Sequence, residues 1–177
     1  MLRSYLFSYS DCLFILKKLV TPNEVYESIT DINLESLLKF GYNTVFLDVD
    51  NTLVTYHERQ VNLQVTAWVN QVKSLGYHVY ILSNNISKQR ISHITNQLGV
   101  KGIYFACKPF TYSIRDFARH HKINFKKSIF IGDQLLKDVI IANWLHAYSI
   151  LVDPLDKKLS FFKTGQRNFE LYLLDKM

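Results

Sequence analysis

The sequence is poor in the features that would place it among disulfide-stapled, metal-module or membrane-spanning proteins. Only two cysteines occur in 177 residues, Cys12 and Cys107. They lie far apart and without metal-ligand spacing, so a disulfide framework and a thiolate zinc module are excluded. Two reduced thiols in a reducing compartment, the cytoplasm, are expected. Long apolar runs are also missing. The longest clean one, Cys12 to Leu16, is far too short to span a bilayer, and Arg3, Asp11, Lys17 and Lys18 interrupt its surroundings. No small-residue cleavage site follows it, so no secretory signal is expected. The six histidines are scattered and none is assigned a role. There is no internal repeat and no low-complexity segment.

Acidic residues are scarce in one region. The net charge is +6, and residues 101–127 carry seven Lys/Arg against Asp116 alone. Residues 1–43, by contrast, hold four Lys/Arg and five Asp/Glu. Such clustering points to an anionic partner: a phosphorylated substrate, an acidic lipid or a nucleic acid.

What is present is an alternation of short apolar runs with amphipathic stretches. Thr44–Leu47, Tyr77–Leu82, Gly102–Ala106, Ser128–Ile131 and Ala147–Val152 read as strands. Between them, residues 62–75, 87–98, 110–121 and 134–146 repeat apolar residues at helical spacing. Phe110, Ile114, Phe117 and Ala118 are expected to face inward, and Trp68 and Trp144 to lie in the core. The expected fold is α/β: a single Rossmann-like three-layer domain, with a five-stranded parallel sheet and helices on both faces. Residues 1–42 would form a helical lead-in, 43–152 the domain, and 153–177 a helical tail packed on or beside it.

Ligands bind at the carboxyl ends of such strands, and there the sequence places unusual polar groups. The first strand ends in Asp48-Val-Asp50-Asn-Thr52, the second in Ser83-Asn84-Asn85. The third is followed by Lys108-Pro109, and the fourth by Gly132-Asp133 with Asp138 further on. Several carboxylates in one pocket repel one another and call for a cation. All-oxygen donors without Cys or His suit Mg²⁺. Lys108 and the Ser83 hydroxyl would hold phosphoryl oxygens. Asp48 could then attack phosphorus to give an acyl phosphate, with Asp50 moving the proton to the leaving group and from water.

The stretches FLDVDNTLV, LSNN, KP and IGDQLLKD, taken in that order, resemble the four motifs of the haloacid dehalogenase superfamily. The closer resemblance is to its capless subclass III phosphatases of the YqeG type, which are similar to phosphatidylglycerophosphate phosphatases. The lead-in TPNEVYESITDINLESLLKFGYNTV resembles that branch too. The resemblance implies Asp48 as nucleophile and Asp50 as acid/base. It implies a Mg²⁺ site from the Asp48 and Asp133 side chains with the Asp50 carbonyl. Asp138 is included in the metal set, with orienting Lys108 or a metal-bound water favoured over touching the metal directly. Ser83 and Lys108 would bind the phosphoryl group. Thr52 and Asn84 join that set, against a competing reading in which Thr52 braces the first loop and Asn84 shapes its turn.

No cap domain is expected, since Thr52 to Asn62 leaves only about ten residues between the first motif and the next helix. An open site suits a substrate that brings its own bulk. Arg115, Arg119 and Lys122 form one stripe on the third helix. The tail mixes Lys157, Lys158, Lys163 and Arg167 with Phe161, Phe162 and Phe169. Both suit an anionic membrane surface, and a peripheral location at its inner face, and equally a solvated helix face and a tail helix packed on the core. The implied reaction is removal of the terminal phosphate of phosphatidylglycerophosphate. Alternatives are the phosphate of a nucleic-acid end, a sugar phosphate or a phosphoprotein, and, from another class, RNA binding in ribosome assembly. The oligomeric state is left open.

Overall fold

The computed structural model of the protein describes residues 9–156. The expected tail therefore lies, beyond residue 156, outside the described residues. Six parallel strands form one sheet: β1 (Glu24–Tyr26), β2 (Thr44–Leu47), β3 (His78–Leu82), β4 (Lys101–Ile103), β5 (Ser128–Gly132) and β6 (Tyr148–Val152). Their spatial order is β1-β6-β5-β2-β3-β4. The sixth strand corrects the expected five. Residues of the lead-in supply it, with Glu24, Val25 and Tyr26 paired to Ile150, Leu151 and Val152. The expected third strand is also shorter, because Phe105 has φ 50, which takes the chain out of extended geometry.

Side chains on a strand alternate between faces, and here the alternation divides the core. Val45, Leu47, Val79, Ile81, Ile129 and Ile131 point to one face. They meet α3 (Leu63–Ser74) through Val65, Trp68, Val69 and Val72, and α4 (Lys88–Leu98) through Ile91, Ile94 and Leu98. Phe46, Leu82 and Phe130 point to the other face. There they meet Ile114 and Phe117 of α5 (Tyr112–His121) and Ile141 and Ala142 of α6 (Ile140–Trp144). The expected three-layer α/β arrangement is present.

The lead-in contributes to the first core with Ile29, Ile32, Leu34 and Leu37. Its short helix Glu35–Lys39, α2, precedes β2. Two buried aromatic side chains tie it down: Trp68 Nε1 donates to the Ile32 carbonyl, and the Tyr77 hydroxyl to that of Leu34, both at 2.9 Å. The first helix, α1 (Tyr9–Val20), docks by its C-terminal end. Val20 is buried, and the Asn143 amide donates to the carbonyls of Leu19 and Thr21 at 2.9 and 2.8 Å.

Two expectations fail in the second half. Residues 134–146 do not form one helix; a single π turn over Leu135–Val139 precedes α6. Phe110 and Trp144 are not core residues but are 71% and 55% exposed. Phe110 precedes the helix it was assigned to, and Trp144 closes a helix whose buried side is carried by Ile141, Ala142 and Leu145.

Candidate active site

The sheet order brings β2 and β5 side by side, with a strand on the outer flank of each leading away in opposite sequence order. This is the topological switch point at which such sheets open a crevice. Leu47 pairs with Ile131, and the Asp48 amide donates to the Ile131 carbonyl at 2.9 Å. Asp48 and Asp133 therefore leave adjacent strands on the same edge, and both are buried.

The loop after β2 is tight because it carries its own anchor. Val49, Leu53 and Val54 are buried, and the Val49 carbonyl accepts from the amides of Leu53 and Val54 at 2.9 and 3.2 Å. Asn51 sits at φ 68, a left-handed conformation that asparagine tolerates better than most residues. Thr52 Oγ1 lies 3.5 Å from Asp48 Oδ2.

Lys108 reaches into the cluster from the β4–α5 connection. Its Nζ lies 2.5 Å from Asp48 Oδ1 and 2.5 Å from Asp138 Oδ1. Asn84 sets the position of its backbone. The Asn84 amide nitrogen donates to the Lys108 carbonyl at 3.0 Å, and its oxygen accepts from the Lys108 amide at 2.6 Å. The side chain expected to bind phosphate is thus engaged on both sides by the lysine's main chain. Ser83 is buried, and its Oγ accepts from the Asn85 amide at 3.0 Å.

Asp138 arrives through the π turn, whose extra residue per turn redirects the chain, a device frequent at functional sites. Its Oδ2 accepts from the Gln134 amide at 3.1 Å. The approach requires Gly132, because a Cβ there would run into the Asp138 carboxyl group. An exposed helix position, the ordinary expectation for such a residue, is replaced by a buried one.

Carboxylate oxygens of Asp48, Asp133 and Asp138 all lie within 4.8 Å of one another. Burial pushes the Asp48 carboxyl up, Lys108 pulls it back and Asp138 raises it again, to about 6. Burial and the charges of Asp48 and Asp138 likewise hold Asp133 well above the ordinary carboxylate range. Burial alone would lower the Lys108 ammonium, but Asp138 and Asp48 more than reverse this and push it up. Three buried carboxylates thus face one buried ammonium. The remaining negative charge, presented by oxygen donors alone, fits a hard divalent cation.

The Asp50 carboxylate is outside that cluster. Its Oδ2 accepts from Asn85 Nδ2 at 2.9 Å and its Oδ1 from Arg90 Nη2 at 3.0 Å. The same guanidinium donates to the Thr55 carbonyl at 2.9 Å and to that of Glu58. The sequence places Asn85 at the polar end of the second strand only as a turn residue, and it does not single out Arg90. Arg90 lies in the first turn of α4, on the edge where the carboxylates gather, but nothing in that turn tells which carboxylate it meets.

A family model described as mitochondrial PGP phosphatase matches residues 10–155. The chain belongs to that family. It is 31% identical over 160 residues to the Bacillus subtilis (strain 168) protein named "Probable phosphatase YqeG", covering 90% of this chain and 92% of that one. An Arabidopsis thaliana protein named "Phosphatidylglycerophosphate phosphatase 1, chloroplastic/mitochondrial" is 21% identical over 167 residues. That match covers 89% of this chain but 48% of the plant protein, so the chain spans about half of that relative.

Solved structures share the fold. An uncharacterised Listeria monocytogenes serotype 4b protein superposes with TM-score 0.53 at 18% identity, over 76% of this chain and 99% of that one. The cobalt-bound deoxy-D-mannose-octulosonate 8-phosphate phosphatase of Haemophilus influenzae does so with TM-score 0.51 at 12% identity, over 76% and 88%. The chain is a phosphatase of the YqeG type.

Proposed function

We propose that this phosphatase hydrolyses phosphatidylglycerophosphate, with Mg²⁺ and through an aspartyl-phosphate on Asp48. One observation carries the proposal. Two aspartates one residue apart occupy different surroundings, Asp48 in the buried lysine-bridged cluster and Asp50 against Arg90 and Asn85. Nucleophile and proton carrier need such a division.

An Asp48 oxygen attacks phosphorus, the bond from phosphorus to the ester oxygen breaks, and that oxygen leaves with a proton from Asp50. Asp50, now a carboxylate, takes a proton from water as the water oxygen attacks the phosphoryl group. The bond to Asp48 then breaks and inorganic phosphate is released. Arg90 and Asn85 fix the Asp50 carboxylate while each oxygen keeps a second lone pair for proton transfer. Lys108 holds Asp48 in place and, with the Ser83 hydroxyl, receives the phosphoryl oxygens. Asp48, Asp133 and Asp138, with the Asp50 carbonyl, would hold the metal. When bound, Mg²⁺ supplies charge neutralisation for the phosphoryl group.

The lipid substrate is supported by the family match and by the plant relative's name. It is supported also by short connections at the site, residues 48–62 and 104–111, which carry no helix. Among the described residues no helix is long and apolar enough to cross a membrane. The lipid would therefore be met at a membrane surface.

The test is phosphate release with Mg²⁺ from phosphatidylglycerophosphate in mixed micelles, beside a nucleotide, a sugar phosphate and a phosphopeptide. Preference for the lipid, abolished by Asp48→Asn, is expected. Release from the sugar phosphate or nucleotide with none from the lipid overturns the substrate.

A further inference from the structure

The catalytic edge carries a rim of large apolar side chains that the core does not use. Ile86 follows β3, Tyr104 and Phe105 follow β4, and Phe110 and Tyr112 lead into α5. They are 78%, 44%, 58%, 71% and 83% exposed. All lie in, or directly after, the connections that also deliver Ser83 and Lys108, so the rim stands on the same edge of the sheet as the site. Single exposed apolar residues need no explanation, but five of them in the loops of one sheet edge mark an interaction surface.

The rim is held in register with the site. The Phe105 amide donates to the Asn85 carbonyl at 2.9 Å, and Asn85 is the residue that grips Asp50. The Phe110 amide donates to the Cys107 carbonyl at 2.9 Å, and Ser113 Oγ to that of Ala106 at 2.6 Å. Phe105 and Cys107 have φ 50 and 58, a region that bulky residues seldom enter. The backbone keeps Phe105 in solvent in spite of that preference.

The segment of sequence that carries the rim is free of acid over a long stretch. Between Glu58 and Asp116 the sequence has no Asp or Glu, and Arg59, Lys88 and Arg115 are exposed within it. Lys88 opens α4 and Arg115 lies in the first turn of α5, both beside the rim. Tyrosine, phenylalanine and isoleucine bordered by cations match the interface of a bilayer with anionic headgroups.

We propose that Ile86, Tyr104, Phe105, Phe110 and Tyr112 form a docking rim that seats the catalytic edge on an anionic phospholipid bilayer. A lipid phosphate is then met without leaving its leaflet. The inference rests on the lipid reading above, yet the two fail separately.

The experiment is co-sedimentation of the full chain with phosphatidylcholine vesicles, with and without phosphatidylserine. Phosphatidylserine is anionic but no phosphomonoester, so it reports docking and not occupation of the site. The wild type is expected to partition to the anionic vesicles. The variant Ile86→Ser/Phe110→Ser/Tyr112→Ser is expected to lose at least tenfold in partition while still hydrolysing para-nitrophenyl phosphate. Tyr112→Ser alone, at the most exposed position, is expected to lose a smaller part.

Equal partition of wild type and both variants overturns the proposal. So does a change of molecular mass in vesicle-free light scattering, which would make the rim a face between copies of the chain. Lipid hydrolysis in micelles without vesicle partition overturns the rim alone. Rim-dependent partition without lipid hydrolysis overturns the substrate alone and supports the rim.

Discussion

Arg90 and Asp50, 40 residues apart in sequence, meet at 3.0 Å, and the same guanidinium holds the carbonyls of Thr55 and Glu58. One side chain thus ties α4 to the aspartate and to the loop beyond it. A planar fork with several donors can make these contacts together, which an ammonium cannot. Arg90→Gln is expected to lower kcat by roughly 10- to 100-fold, matching the ~1.5–3 kcal/mol of a hydrogen bond to a charged group. Arg90→Lys should fall between the two. Steady-state kinetics on a soluble phosphomonoester, read beside the melting temperature, decides the matter. A lower Tm with kcat unchanged would make Arg90 a structural tie only.

Gly132 is the condition for Asp138 reaching Lys108, since a methyl group there meets the Asp138 carboxyl. Gly132→Ala should push Asp138 aside, leave Lys108 with Asp48 alone, and cost about 1–3 kcal/mol as an overpacked core does. Activity should fall by more than tenfold. Denaturant melts and initial rates check both. A crystal structure of the variant with Asp138 still 2.5 Å from Lys108 would contradict the steric account.

The aspartates at the ends of β2 and β5 were legible because carboxylates directly after buried strands are unusual enough to announce a site. Ser83 and Lys108 were legible by their order along the chain. Asp138 was legible by its place after the last of these strands and by resemblance, but its burial was not, because the π turn that buries it has no local sequence signature. Arg90 was not legible, since nothing in a helix's first turn tells which carboxylate it will face. β1 is hidden in the sequence for a related reason. Three residues, Glu-Val-Tyr, become a strand only because β6 offers an edge to pair with. Asn84 shows the opposite limit: its neighbourhood was foreseen, but the structure gives its amide to the Lys108 backbone.

The raised Asp48 carboxyl makes a pH prediction with a definite sign. Its value in the fold is about 6 against an ordinary 3.8, so between these the folded chain binds more protons than the unfolded one. That contribution to stability is largest below the ordinary value and is lost as pH rises through about 6. Without metal, Asp48→Asn should therefore gain on the wild type as pH rises from about 4 to about 6, by on the order of 1–3 kcal/mol. Mg²⁺ should shrink the gap, because it stabilises the ionised wild-type cluster and has less to hold in the variant. Denaturant melts in EDTA and in Mg²⁺ across that range test both. A gap independent of pH would mean that Asp48 is not the titrating group.

Trp68 offers a test of the lead-in that leaves the chemistry alone. Its Nε1 donates to the buried Ile32 carbonyl at 2.9 Å, and its ring packs in the same core as Ile29, Leu34 and Leu37. Trp68→Phe keeps most of the apolar contact and removes the donor, leaving a carbonyl without its partner, at a cost of about 1–3 kcal/mol. For a chain of this size that lowers Tm by roughly 2–10 °C. The site on the strand ends is built by other residues, so the rate on a soluble phosphomonoester at 25 °C should stay within about twofold. An unchanged Tm would show that the lead-in is held by its apolar residues alone. A large loss of rate at unchanged Tm would show that this face of the sheet communicates with the site.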